Sequence, residues 1–218
     1  MKILNTLLMA IAVCSGMASA NVTPCNHTYT QTINPETITW EQIDPSVRKF
    51  YIKSVAYGIE HSSELMTETD AMAIIIKTIE LSLNVDFSDL SGEYKAYQEA
   101  SLPIIKSILE DLKKAPPIPL PTSMDEMPQY QQALINTILK ARNKHQSEYD
   151  ELKRKYPNAV ALFEASQPGI SQPKIADLFT AKYNVQQMTI ANLMTSSSHA
   201  EAIRKTAQQL YALAEEQK

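Results

Sequence analysis

Asp44-Pro45-Ser46-Val47-Arg48-Lys49-Phe50-Tyr51-Ile52-Lys53-Ser54-Val55-Ala56-Tyr57-Gly58-Ile59 is the stretch that decides the fold class. Asp44 is an N-cap whose carboxylate can take a free amide of the first turn, and Pro45 follows at the position where a missing N–H costs nothing. Val47, Phe50, Tyr51, Ser54, Val55 and Ile59 then recur at spacings of three and four, which lays them on one face of a helix.

The same grammar continues on both sides. Thr67 reads as the cap of a second helix over 68–83, with Glu68 and Asp70 in its first turn, where negative charge suits the helix dipole. Met72, Ile75, Ile76, Ile79 and Leu83, widened by Ala71, Ala73, Ile74 and Leu81, make that helix apolar on most sides and hence buried. A helix over 92–114 holds Pro103, which is expected to kink or restart it. Ile104, Ile105, Ile108, Leu109 and Leu112 point inward there.

Ala115-Pro116-Pro117-Ile118-Pro119-Leu120-Pro121 reads as an extended connector over 116–121 between two helical halves. One long helix is expected over 128–156, with Leu134, Ile138, Ala141, His145, Tyr149, Leu152 and Tyr156 along it. Pro157 opens a short helix over 158–165, Gln167-Pro168-Gly169 is a turn, and helices follow over 173–184 and 185–195. Ser198 with Glu201 forms a capping box for the last helix. Alternating strand patterns are absent, and glycine is scarce, at 4 residues in 218. These signs give an all-α fold: a single helical domain of about seven to nine helices over 39–218.

The first twenty residues have another purpose. Met1-Lys2, the apolar run from Ile3 to Val13 and the small residues Ala18-Ser19-Ala20 have the order of a secretory signal peptide, too short in its apolar part to span a membrane. The expectation is a secreted protein (periplasmic if bacterial) starting at Asn21, with 21–38 a flexible N-terminal arm. Removing Lys2 from the 20 basic residues leaves 19 against 24 acidic ones, a net charge of −5. That balance excludes a nonspecific nucleic-acid or anionic-membrane binder, which needs clustered cations, and no stable membrane insertion is expected. Cys14 leaves with the signal, so Cys25 stays alone, either a free thiol or the link of a dimer. Asn21-Val22-Thr23 and Asn26-His27-Thr28 are glycosylation sequons, Asn26 the better acceptor because Asn21 would be the new N-terminus.

Signatures of catalysis are missing. No glycine-rich phosphate loop, Gly-x-Ser-x-Gly elbow or His-Glu-x-x-His is present. Ser171-Gln172-Pro173-Lys174 has the spacing of some acyl-enzymes, but its proline falls where a regular helical turn is needed. His61 and Glu64 share a helix face without a third metal ligand. No cofactor, metal or catalytic residue is therefore expected, and the protein reads as a non-enzyme. The basic residues between Lys140 and Lys155 alternate with Glu148, Asp150 and Glu151, the pattern of a solvated face. Methionine and isoleucine in excess suit a packed core, and equally a cavity for a flexible apolar ligand.

Three segments resemble a known family. Ile43-Asp44-Pro45-Ser46-Val47-Arg48-Lys49-Phe50-Tyr51, Glu68-Thr69-Asp70-Ala71, and Tyr149-Asp150-Glu151-Leu152-Lys153-Arg154-Lys155-Tyr156-Pro157-Asn158 are similar, in order and rough spacing, to motifs of the nematode fatty-acid- and retinol-binding proteins. The resemblance covers residues 40–183 loosely. It implies a secreted, wholly helical, often glycosylated carrier that encloses a small lipid, fatty acid or retinol, in an internal apolar cavity. On that reading Phe50, Ile75, Ile76, Ile79, Ile105, Leu109, Leu134 and Ile138 line the cavity, and Arg142, at the edge of its helix stripe, holds the carboxylate at the mouth. The rival reading is a helical interaction or structural protein with a filled core, a helical antigen or a module that binds a peptide or protein through the 128–156 helix.

Overall fold

The computed structural model describes residues 33–66, 68, 70–164 and 173–217. The expected signal peptide, both sequons and Cys25 lie outside these residues. Among the described residues there are ten α-helices and no strand: α1 (Pro45–Glu60), α2 (Ser62–Met66), α3 (Ala71–Leu83), α4 (Gly92–Lys113), α5 (Met127–Asn143), α6 (Gln146–Lys155), α7 (Pro157–Phe163), α8 (Lys174–Lys182), α9 (Val185–Thr195) and α10 (His199–Glu215). The chain is all-α as expected, with one helix more than the upper expected count.

Local chemistry explains most of the boundaries. Asp44 caps α1, its Oδ1 accepting from the Ser46 amide at 2.8 Å and from the Ser46 hydroxyl. Ser198 Oγ accepts from the Glu201 amide, while the Glu201 carboxylate turns back to the Ser197 amide and hydroxyl. That arrangement holds the Glu201 carboxyl down at about 2, the Ser197 hydroxyl and Lys205 being its strongest partners. Asp70 caps α3, accepting from the Met72 amide, so Ala71 and not Glu68 opens the helix; Thr67, the expected cap, lies outside the described residues. Pro103 lies inside α4 without ending it.

The single helix expected over 128–156 is two helices. The His145 amide donates to the Arg142 carbonyl at 2.9 Å, a tightened last turn that ends α5, and the Tyr149 amide then donates to the His145 carbonyl to start α6. The apolar positions continue through the break, because Leu134, Ile138 and Ala141 before it and Tyr149, Leu152 and Tyr156 after it are all buried. Of the expected arm over 21–38 only 33–38 are described, and they rest on the domain. The Ile33 amide donates to Asn158 Oδ1 at 2.7 Å, and Ile33 and Ile38 pack against the core.

One contiguous apolar core runs through both helical halves, from Trp40 to Ala214. Residues 116–121 lie between those halves without regular structure, and Ile118 rests on the core. The most extensive helix pair is α1 with α10. Its edge carries a four-member charge cluster: Lys49 and Lys53 of α1 each reach both Asp89 and Glu215, at 2.6 to 3.3 Å. Elsewhere Glu93 of α4 closes the start of α7. Its carboxylate accepts from the Asn158 amide at 2.7 Å, the Asn158 side chain at 3.0 Å and the Ala159 amide at 3.2 Å. Those amides belong to the first turn of a helix and have no partner within it.

Candidate functional site

The residues expected to form a ligand cavity lie in or against the common core. Phe50, Ile79, Leu109, Leu134 and Ile138 are buried members of the common core, and Ile75, Ile76 and Ile105 lie half-buried against it. Phe50 meets Phe163 edge-on at 6.0 Å. Helix α3 is less enclosed than its composition suggests: only Met72, Thr78, Ile79 and Leu81 are buried, and Ile74, Ile75 and Ile76 keep partial contact with water.

Arg142 departs from its expected position. It is 1% exposed, with its guanidinium carbon 4.8 Å from the centroid of the Tyr149 ring. The break after α5 brings α6 back so that Tyr149, itself buried, faces the cation in place of water. A guanidinium over an aromatic face recovers part of its lost hydration. Arg142 is thus a buried core residue and not at the water-facing edge of its helix stripe.

Two depressions open on the surface. A groove of about 370 Å³ between α4 and α6 has a floor of Ala100, Pro103, Ile104, Leu152 and Tyr156 and a rim of His145, Glu148, Glu151 and Lys155. His145 Nδ1 lies 3.3 Å from Glu148 Oε1, and Lys155 sits 5.2 Å over the Tyr156 ring. A broader depression of about 590 Å³ is bounded by Asn136, Leu139, Lys140, Asn143 and Lys144. None of the nine expected residues lines either one. His61 and Glu64 diverge: His61 Nδ1 is 2.9 Å from the Tyr57 carbonyl with its ring against Tyr57, while Glu64 faces Lys77. Ser171 lies outside the described residues.

Behind the groove is a buried polar group. The Tyr97 hydroxyl donates to Glu164 Oε1 at 3.4 Å, and both side chains are buried. Burial pushes the Glu164 carboxyl up to about 7, against the opposing pull of Lys153, Arg142 and the Tyr97 hydroxyl. Burial likewise holds the Lys153 ammonium below its ordinary value.

The feature that the sequence reading passed over is α9. Its inner side mixes Val185 and Met188 with a buried asparagine, and its outer side carries large apolar residues. Asn192 faces inward, its amide donating to Thr206 Oγ1 at 3.0 Å and Gln209 Oε1 at 2.8 Å on α10. Ile190, Leu193 and Met194 face outward, 48%, 41% and 83% exposed. Spacings of three and four put these three on one side. The signal was available: Val185-Gln186-Gln187-Met188-Thr189-Ile190-Ala191-Asn192-Leu193-Met194-Thr195 has no charged residue at all, unusual for a helix whose outer face meets water.

No known protein family, curated protein or solved structure matches this chain. The likeness to fatty-acid- and retinol-binding proteins therefore rests on its three motifs. No helix among the described residues is long and apolar enough to cross a membrane.

Proposed function

We propose that this chain is an exported, non-enzymatic helical protein that works by binding another protein, with the outer face of α9 as its contact surface. The observation that carries this reading is the exposed apolar cluster of Ile190, Leu193 and Met194 on α9. A helix that buries an asparagine and exposes isoleucine, leucine and methionine has its apolar side aimed at something outside the domain. Contiguous exposed apolar side chains mark interaction sites, and interface centres are depleted of charge. The partner that fits is a protein with an uncharged apolar groove that takes Ile190, Leu193 and Met194 as helix anchors. The test places a photo-crosslinking amino acid at 194 in protein exposed to its native secretions. One dominant protein adduct is expected, lost on Leu193→Glu. Diffuse labelling that Leu193→Glu leaves unchanged would end the proposal.

A second reading, the carrier of fatty acid or retinol, draws on the partial exposure of Ile74, Ile75 and Ile76. An aliphatic strip that is half in water can part from its neighbours to admit a chain, gaining roughly 0.8 kcal/mol per methylene buried. Under this reading a fluorescent fatty-acid probe binds saturably and oleate displaces it at micromolar concentration. Failure with both fatty acid and retinol would remove it, whatever the outcome at α9.

A further inference from the structure

Glu164 closes α7. Its amide donates to the Val160 carbonyl at 2.9 Å, its backbone is extended, and its side chain turns back into the domain, 8% exposed. The walls there are aromatic: Tyr97 stacks on Phe163 at 6.1 Å and meets Tyr156 edge-on at 6.3 Å. The titratable and charged groups that face this carboxyl are Tyr97 from α4, Arg142 from α5, and Asp150 and Lys153 from α6.

We infer that Glu164 is a proton-dependent latch that fastens the end of α7 to α4. Protonated, the carboxyl is a neutral acceptor for the Tyr97 hydroxyl and fits its aromatic surroundings. When the proton leaves to solvent, a full negative charge stands in the same place, and α7 is released from α4 to hydrate it. This device is independent of the α9 surface.

Burial disfavours the charged form of an acid. Here it outweighs the attraction of Lys153 and Arg142, which leaves the transition at about 7. The direction of the pH effect follows. An acid whose value is higher in the folded than in the unfolded state binds more proton when folded. Folding is then most favourable below the unfolded value and loses ground as pH climbs to the folded value. From the ordinary 4.5 to about 7, the unfolding equilibrium constant should rise by about 300-fold, and then level off.

The experiment compares urea unfolding of the wild type and Glu164→Gln from pH 5 to 8, with a carbon-13 titration of the Glu164 carboxyl in the wild type. Glutamine keeps the acceptor and cannot ionise. The two unfolding constants should differ by about fourfold at pH 5 and separate further above it, the wild type approaching a 300-fold larger value at pH 8. Trp40, the only tryptophan of the chain, packs against Phe179 and Tyr183 at 5.8 and 5.7 Å, close to α8, which rests on α7. Its emission should shift to longer wavelength in the wild type as pH rises and stay fixed in the variant. Parallel pH profiles in the two proteins, or a carboxyl midpoint below pH 5, would overturn the latch. Should Glu164→Gln not fold, the carbon titration and the wild-type emission decide alone.

Discussion

Replacing Glu93 by alanine removes the acceptor that closes α7. Three donors lose their partner together: the amides of Asn158 and Ala159 and the Asn158 side chain. A hydrogen bond to a charged group contributes about 1.5–3 kcal/mol net, and losing a helix cap costs about 1 kcal/mol. These overlap, and the site is half-buried, so water replaces part of what is lost. The working value is about 3 kcal/mol for Glu93→Ala. Glu93→Gln keeps one oxygen for the two backbone donors but sets its own amide against that of Asn158, so about 1 kcal/mol is expected. For a chain of this size each kcal/mol moves the melting temperature by about 2–4 °C. Glu93→Ala should therefore melt about 6–12 °C below the wild type by far-ultraviolet circular dichroism at pH 7. Glu99→Ala, an exposed change on the same helix, serves as control and should stay within about 0.5 kcal/mol. If Glu93→Ala and Glu99→Ala melt together, the carboxylate does not hold α7, and the docking of Ile33 onto Asn158 loses its anchor too.

Arg142→Ala should destabilise by about 3 kcal/mol in urea unfolding, because it empties a buried site and uncovers Tyr149. Had Arg142 held a ligand carboxylate at an exposed mouth, stability would hold and only fatty-acid affinity would fall. Asn192→Ala should cost about 2 kcal/mol, leaving Gln209 without its partner, whereas Met194→Glu on the outer side of the same helix should change the unfolding midpoint by less than about 0.5 kcal/mol. Equal effects of those two would contradict the inward placement of Asn192 and the outward placement of Met194. Ile79→Ala should cost about 3–4 kcal/mol, the scale of a fully packed site, and a loss below about 1 kcal/mol would show that its surroundings are hollow.

Signals that act within one turn were legible in the sequence. The Asp44-Pro45 start, the Pro157 restart and the Ser198 cap are local hydrogen-bond chemistry, and each stands where the pattern puts it. The break after α5 was hidden because its two helices keep their apolar residues in step, so periodicity alone shows one helix. Thr67 and Asp70 are both good caps, and only the fold chooses between them. At the candidate site the limits are of a different kind. Arg142 beside an apolar stripe reads as a snorkelling surface residue until Tyr149 is known to cover it. Glu93 and Asn158 are 65 residues apart, and Tyr97 and Glu164 are 67 apart, so neither bond leaves a trace in local pattern. Whether the isoleucines of α3 and α4 surround a void or one another depends on how helices fill space, which composition does not specify.

The pairing of α1 with α10 has a consequence for the order of events at birth. Lys49 and Glu215 meet across a sequence separation of 166. The ribosome releases α1 long before α10, so the first long helix waits for its main neighbour while all the helices between them are made. Domains generally complete only as whole units, and contacts this distant slow the search. The nascent domain thus stays open until α10 emerges. Under the export proposed above, that delay would be an advantage, since a domain that closed early would jam a narrow translocation channel.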